Sequence, residues 1–285
     1  MKIKITGASG YLGKTISNLL IEKRHEVSGI DRKLLYASVQ ELQAEIKNCD
    51  AIINLAGAPI LQRWTEKNKA EILDSRVKTT LNLIKAINNL PFLEQPKKFI
   101  SASAIGIYQS GFSHDETSQN FDDGFVGNVV KQWEAASSDL SPNVQRNIFR
   151  LGLVLGKEAK TITNLLLPFQ LGLGAKLGNG KQAFSFVHVN DVAKAFLWAV
   201  EDLKTNETLN LVAPENITNK DFTKALAKVL HRPALFSIPE FVIKTVLGEA
   251  SCLLTESAEV EPQNLLEAGF EFQYPTIKSA LEEIV

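Results

Sequence analysis

Up to about residue 155, short apolar runs alternate with stretches of helical periodicity. Lys2–Thr6 reads as a strand, after which Leu12, Ile16, Leu19 and Leu20 fall on one helical face. A second strand is expected at Glu26–Ile30, a short third at Leu34–Ala37, and a helix at Val39–Asn48. The run DAIINLAG (Asp50–Gly57) is almost wholly apolar before its glycine, as in a strand buried on both faces. A long helix is expected from about Thr65 to Asn88, a buried strand at Lys97–Ser103, and a helix over Gly124–Leu140. RNIFRLGLVLG (Arg146–Gly156) reads as one further strand. Strand and helix alternating in this way imply right-handed crossovers and a parallel, doubly wound sheet covered on both faces.

The rhythm changes after Gly156. Thr161–Gln182 opens like a helix and ends in a glycine-rich loop containing Gly172, Gly174, Gly178 and Gly180. Phe184–Asp191 is strand-like, with Asn190 or Asp191 placed to cap a helix from Val192. TNKD (Thr218–Asp221) has the form of a capping box with Asp in place of Glu. The pattern divides the chain into a doubly wound domain over 1–160, with 184–204 returning to it. A smaller, mostly helical portion covers 161–183 and 205–285.

Composition narrows the class. The 285 residues carry a net charge of −1, which offers no footprint for nucleic acid and no attraction to a membrane surface. Cys49 and Cys252 form no CxxC pair, and the four histidines show no metal-ligand spacing, so no metal site is expected. The expected setting is cytoplasmic, with a small-molecule substrate as partner and a homodimer open.

The first loop carries the chemistry. ASGYLGKT (Ala8–Thr15) has the spacing of a Walker A loop with its first glycine relaxed to Ala8. Shifted by one residue, the same letters give Gly7, Gly10 and Gly13, a dinucleotide fingerprint between a strand and a helix. The dinucleotide parse explains more. It gives each glycine a task and finds the expected acid, Asp31, at the end of the second strand. The Walker reading finds only VSGID (Val27–Asp31) as a magnesium-holding partner, and Ser28 and Gly29 interrupt its apolar run.

TGASGYLG, NLAG and SASAIGIY together resemble the extended short-chain dehydrogenase/reductases, the epimerase/dehydratase group. NLAGAPI, SRVKTT, WEAA, PFQLGLGAKLGNGKQ, FVHVNDVA and LLEAGFEFQYP are similar to an atypical branch of it, the epimerase family with a C-terminal domain of unknown function. The resemblance implies a Rossmann-like sheet of about seven strands binding NAD(P)(H), and an oxidoreductase or epimerase-like activity on a small or sugar-derived substrate. By the same resemblance Gly7, Gly10, Tyr11, Leu12 and Gly13 line the pyrophosphate. Leu55, Ala56 and Gly57 line the adenosine side, and Ser101 and Ala102 the nicotinamide side.

Asp31 and Arg32 disagree about the cofactor. Asp31 suits a free ribose 2′-hydroxyl and Arg32 a 2′-phosphate, so NADP(H) is favoured narrowly over NAD(H). The group's usual Tyr-x-x-x-Lys pair is missing: counting back from Glu134 puts Val126 and Val130 at its positions. YPTIK (Tyr274–Lys278) matches the letters but not the context, because Pro275 suits a helix start. Ser103 and then Tyr108 are the remaining catalytic candidates, and Arg76 and His188 the substrate-side ones. Arg76 either clamps an anionic group or pairs along its helix with Glu71 or Asp74. His188 and Asp191 resemble an HxxD motif, with helix capping the plainer role for Asp191. Without the Tyr-Lys pair, the alternative is a non-catalytic NAD(P)-binding sensor or regulatory protein.

Overall fold

The computed structural model describes residues 1–204 and 206–285. Its strands in chain order begin with β1 (Lys2–Thr6), β2 (Glu26–Ile30), β3 (Ala51–Asn54) and β4 (Lys98–Ala104). They continue with β5 (Ser113–His114), β6 (Gln145–Leu151), β7 (Leu153–Leu155), β8 (Ala175–Leu177) and β9 (Phe186–His188). The last three are β10 (Thr208–Leu211), β11 (Phe236–Ile238) and β12 (Glu259–Val260). Six of these form one all-parallel sheet in the order β10-β6-β4-β3-β1-β2. The chain leaves β1 in one direction to β2, then crosses back to β3 and continues outward. The carboxyl ends of β1 and β3 therefore flank the switch point, where open α/β sheets bind ligands.

Two apolar layers hold the sheet. On one face Ile16 and Leu20 of α1 (Tyr11–Glu22) pack with Ile3, Ile5 and Phe149 of the strands. Val192, Phe196 and Val200 of α6 (Val189–Glu201) belong to the same cluster. On the other face Leu42 and Ile46 of α2 (Val39–Ile46) pack with Leu83, Ile84 and Ile87 of α3 (Glu66–Asn88), over Ile52 and Phe99. All four residues of β3 are buried, as its unbroken apolar run requires.

Three expectations need correcting. Leu34–Tyr36 is a turn of 3-10 helix, so the main sheet has six strands and not about seven. The Arg146–Gly156 run is two strands, because the chain turns away at Gly152, where a Cβ would stand 2.7 Å from the Ser185 carbonyl oxygen. β7 then pairs with β9 outside the main sheet, while β10 becomes its outer strand. Finally α6 begins at Val189 with His188, not Asn190 or Asp191, as its N-cap. The Thr218–Asp221 capping box forms as expected at the start of α7 (Asn219–Val229).

The C-terminal portion forms its own cluster. Phe222 and Leu226 of α7 meet Ile162 and Phe169 of α5 (Lys160–Gln170) and Leu281 of the last helix (Ile277–Ile284). Phe184 stacks on Phe222 with ring centroids 4.2 Å apart. Among the described residues, no helix is long and apolar enough to cross a membrane.

Candidate cofactor and catalytic site

The glycines at the carboxyl end of β1 build a tight cradle. Gly7 turns the chain at φ +70°, and a Cβ there would lie 3.0 Å from the Leu55 carbonyl oxygen, across the switch point. At Gly13 a Cβ would be 2.3 Å from the Gly7 oxygen, so only glycine lets α1 sit this close to the loop. Gly10 differs. It is the N-cap of α1, with no side-chain cap, and a Cβ there meets only the Gly7 oxygen, at 3.2 Å. The first helical hydrogen bond runs from the Lys14 amide to the Gly10 oxygen at 2.9 Å. The amides of Tyr11, Leu12 and Gly13 are thus left pointing out of the helix N-terminus, as a phosphate site needs. The Tyr11 side chain reaches across to Gly156, and its phenol is pushed up to about 12, chiefly by burial.

A buried hydrogen-bond network fixes the neighbouring strand ends. Thr6 Oγ1 donates to Asn54 Oδ1 at 2.8 Å and accepts from the Leu55 and Ala56 amides at 3.0 Å each. Asn54 Nδ2 donates to Thr80 Oγ1 at 3.0 Å and Ser101 Oγ at 3.1 Å. With every member satisfied, such a network rigidifies the loops that follow β1, β3 and β4. Ser101 is tied inward by it, while Ala102 lies in the core.

At the end of β2, Asp31 and Arg32 take different partners. Asp31 Oδ1 is engaged at 2.7 Å by the Lys33 amide, closing the local turn. Arg32 is exposed and holds Glu71 at 3.2 Å, a loose surface pair.

At the carboxyl end of β4, Ser103 Oγ donates to Glu134 Oε1 of α4 (Phe125–Ala135) at 2.6 Å. Glu134 is also held by two parallel bonds of 2.8 Å from Arg150 of β6, with side-chain exposures of 8% and 14% for Arg and Glu. Arg150 Nη1 donates to the Tyr108 hydroxyl at 2.8 Å, and that hydroxyl donates to Asn210 Oδ1 at 2.9 Å. Tyr108 is buried, stacks on His114 and has its pKa raised, burial outweighing the nearby Arg150 charge. Its single proton is therefore committed within the protein. Val130, buried, and Val126, partly buried, pack with the apolar cluster of Ile107 and Tyr108, so apolar side chains fill the positions of the usual tyrosine and lysine.

The substrate-side candidates do not gather at one point. His188 is fully buried at the end of β9: Nδ1 accepts from the Asn190 amide at 3.2 Å, and Nε2 pairs with Glu283 at 3.0 Å. Burial lowers its pKa despite Glu283. Asp191 is not a cap; its two oxygens take the Gln273 and Tyr274 amides at 2.7 and 2.9 Å. Tyr274 lies outside the last helix and Lys278 inside it, so no single helix presents them together. Trp64, whose indole donates to the Ile60 oxygen at 3.0 Å, belongs to a packed cluster with Ile72. Arg76 lies against Gly57 and over the Trp133 ring, its guanidinium carbon 5.3 Å from the ring centre. The helix-surface ion pair open to Arg76 is not formed, since Asp74 holds Lys78 and Glu71 holds Arg32.

A family model described as the NAD dependent epimerase/dehydratase family matches residues 3–211, the whole sheet and its loops. The chain belongs to this family. A second model, a domain of unknown function (DUF1731), matches residues 238–284. The epimerase family protein SDR39U1 of Homo sapiens is 35% identical over 294 residues, covering all of both chains. YfhF of Bacillus subtilis, also called an epimerase family protein, is 31% identical over 300 residues, covering 100% of this chain and 98% of its own. Among solved structures, human SDR39U1 (isoform2) with NADPH superposes with a TM-score of 0.93 at 34% identity, covering 100% of this chain and 99% of that one. A nucleoside-diphosphate sugar epimerase from Corynebacterium glutamicum gives a TM-score of 0.79 at 25% identity, with 100% of this chain and 58% of that one covered.

Within this family member, Glu134, Arg150 and Asn210 are polar partners that motif reading passed over. The available signal was a charged residue inside an apolar strand: Arg150 interrupts NIFRLGLVL and needs a counter-ion when buried. Glu134 lies eight residues after Val126 and four after Val130, on the helical face that normally carries the catalytic pair.

Proposed function

We propose that the chain is an NADP(H)-dependent oxidoreductase or epimerase-like enzyme acting on a small or sugar-derived substrate. The observation that carries this is the Gly7–Gly13 cradle, whose free helix-terminal amides open at the sheet's switch point. The human relative solved with NADPH, alike over all of this chain, supports the same cofactor here. Gly7, Gly10, Tyr11, Leu12 and Gly13 hold the pyrophosphate, Leu55, Ala56 and Gly57 the adenosine side, and Ser101 and Ala102 the nicotinamide side. Arg32 is free to leave Glu71 for a 2′-phosphate, whereas Asp31 is occupied in its turn; this supports NADP(H) over NAD(H). Bound there, the nicotinamide supplies or receives the hydride.

The proton then falls to Ser103. Its own hydrogen points to Glu134, which leaves the oxygen lone pairs to accept from a substrate hydroxyl while Glu134 takes the serine proton. Arg150 keeps that carboxylate oriented. Tyr108 is the weaker candidate, because its hydroxyl already donates to Asn210. A second reading, an NAD(P)-binding sensor without turnover, is favoured by one observation: Ser103 is only 3% exposed. A screen of carbonyl compounds following loss of NADPH absorbance tests the choice. Turnover abolished in Ser103→Ala with unchanged NADPH affinity supports the enzyme. Firm NADPH binding with no turnover across the panel supports the sensor.

A further inference from the structure

Arg76 is a half-buried cation with no anion. Nη1 donates to the Ile72 carbonyl oxygen at 3.0 Å, and among the described residues Nε and Nη2 have no acceptor and no carboxylate forms an ion pair with it. Burial alone lowers its pKa, to about 10, with no neighbouring charge acting in either direction. A guanidinium removed from water without a partner is costly, and such groups are otherwise paired. The surroundings are shaped to receive it. A Cβ at Gly57 would stand 3.0 Å from the guanidinium carbon and 3.1 Å from Nη2, so glycine there gives the group its seat.

A second unmet donor lies beside it. Trp133, under the guanidinium, is 7% exposed, and its indole nitrogen is buried without a hydrogen-bond partner among the described residues. Buried donors in a native fold almost always find acceptors, so the unmet Trp133 indole beneath an unpaired, half-buried guanidinium marks a place for a ligand's oxygen atoms. The place is specific. Gly57 follows β3, next to the pyrophosphate cradle of β1, and Trp133 precedes Glu134, the partner of Ser103.

We infer that Arg76, seated on Gly57 and Trp133, binds an oxyanion between the pyrophosphate cradle and Ser103. Phosphate and carboxylate share the chemistry that a guanidinium fork recognises. The oxyanion comes either from the cofactor's pyrophosphate or from an acidic substrate. The location rests on the cofactor reading above; the oxyanion site itself does not.

The test compares the wild type with Arg76→Met and Arg76→Lys. Melting temperature is followed against inorganic pyrophosphate and malonate, with chloride keeping ionic strength constant, and NADPH affinity is measured by tryptophan quenching. The unliganded Arg76→Met protein is expected to melt at or above the wild-type temperature, since an unpaired buried charge has been replaced by an apolar chain. Stabilisation by the dianions is expected in the wild type, weakened in Arg76→Lys and absent in Arg76→Met. If NADPH affinity falls about 10-fold or more in Arg76→Met, the cofactor supplies the oxyanion. If NADPH binds both equally and malonate still stabilises only the NADPH-saturated wild type, the substrate supplies it. A wild type that binds no NADPH but shows dianion stabilisation dependent on Arg76 would sink the cofactor reading and keep this one. Dianions no better than chloride, together with equal NADPH affinity in wild type and Arg76→Met, would overturn it.

Discussion

Gly10 and Gly13 stand one helical turn apart, yet an added methyl group should act on different properties at each. At Gly13 a Cβ would be 2.3 Å from the Gly7 oxygen and 2.7 Å from the Ala8 Cα, both backbone atoms that cannot rotate away. Overpacking of that kind costs up to about 3 kcal/mol, while alanine regains about 1 kcal/mol of helix propensity. The net loss of about 2 kcal/mol lowers the melting temperature of a domain this large by about 4–8 °C. At Gly10 the backbone is ordinary (φ −73°, ψ 170°) and the methyl meets only one atom, at 3.2 Å. The lost unfolded-state freedom offsets part of that contact and of alanine's poorer N-capping, and stability should stay within about 1 kcal/mol. The methyl instead occupies the groove where a pyrophosphate approaches the helix terminus. Differential scanning fluorimetry with and without NADPH separates the two effects. Ligand at 100 times its Kd adds about 2.7 kcal/mol of stability, a clear upward shift. Gly10→Ala should melt like the wild type without ligand and gain almost nothing from NADPH. Gly13→Ala should melt lower from the outset. A Gly10→Ala protein stabilised by NADPH as strongly as the wild type would refute the placement of the pyrophosphate.

Other substitutions probe the remaining contacts. Arg32→Ala should cost NADPH affinity about 10-fold while leaving NADH affinity nearly unchanged, measured by titration of each; equal losses for both would contradict a 2′-phosphate role. Glu134→Gln strips Arg150 of its counter-ion and should lower stability by about 3 kcal/mol in denaturant titration, with Glu134→Gln/Arg150→Met recovering much of that loss. Burial holds the folded-state pKa of His188 below the ordinary 6.5, so the unfolded chain binds the extra proton first as pH falls. The stability contributed by neutral His188 is therefore full above about pH 6.5 and is lost progressively below it. His188→Asn, whose Oδ1 replaces Nδ1 as the N-cap acceptor, should flatten that part of the stability profile.

Much of the fold was legible because apolar periodicity reports burial directly. β1, β3 and β4 lie where the pattern of apolar positions put them, and Thr218–Asp221 caps its helix as the letters suggested. Leu34–Tyr36 misled because three apolar letters suit a 3-10 turn as well as a strand, and Leu35 is buried either way. The split of Arg146–Gly156 depends on the close approach of Ser185 to Gly152, a tertiary contact that no local pattern carries. The glycine cradle was readable because its spacing encodes backbone geometry. The Ser103–Glu134–Arg150–Tyr108–Asn210 chain was not, since its members come from four separate segments joined only by the sheet order. Arg76 was visible as an unexpected charge in a half-apolar helix, but its lack of a partner appears only once Asp74 and Glu71 are seen to be taken.

The central claim is that Gly7–Gly13 cradles a nicotinamide dinucleotide and not a nucleoside triphosphate. Tryptophan-quenching titrations of the wild type with NADPH, NADH and ATP test it most directly. Saturable micromolar or tighter binding of NADPH, weaker binding of NADH and no competition from ATP with magnesium is the predicted result. Tight binding of ATP with none of either nicotinamide cofactor would contradict it.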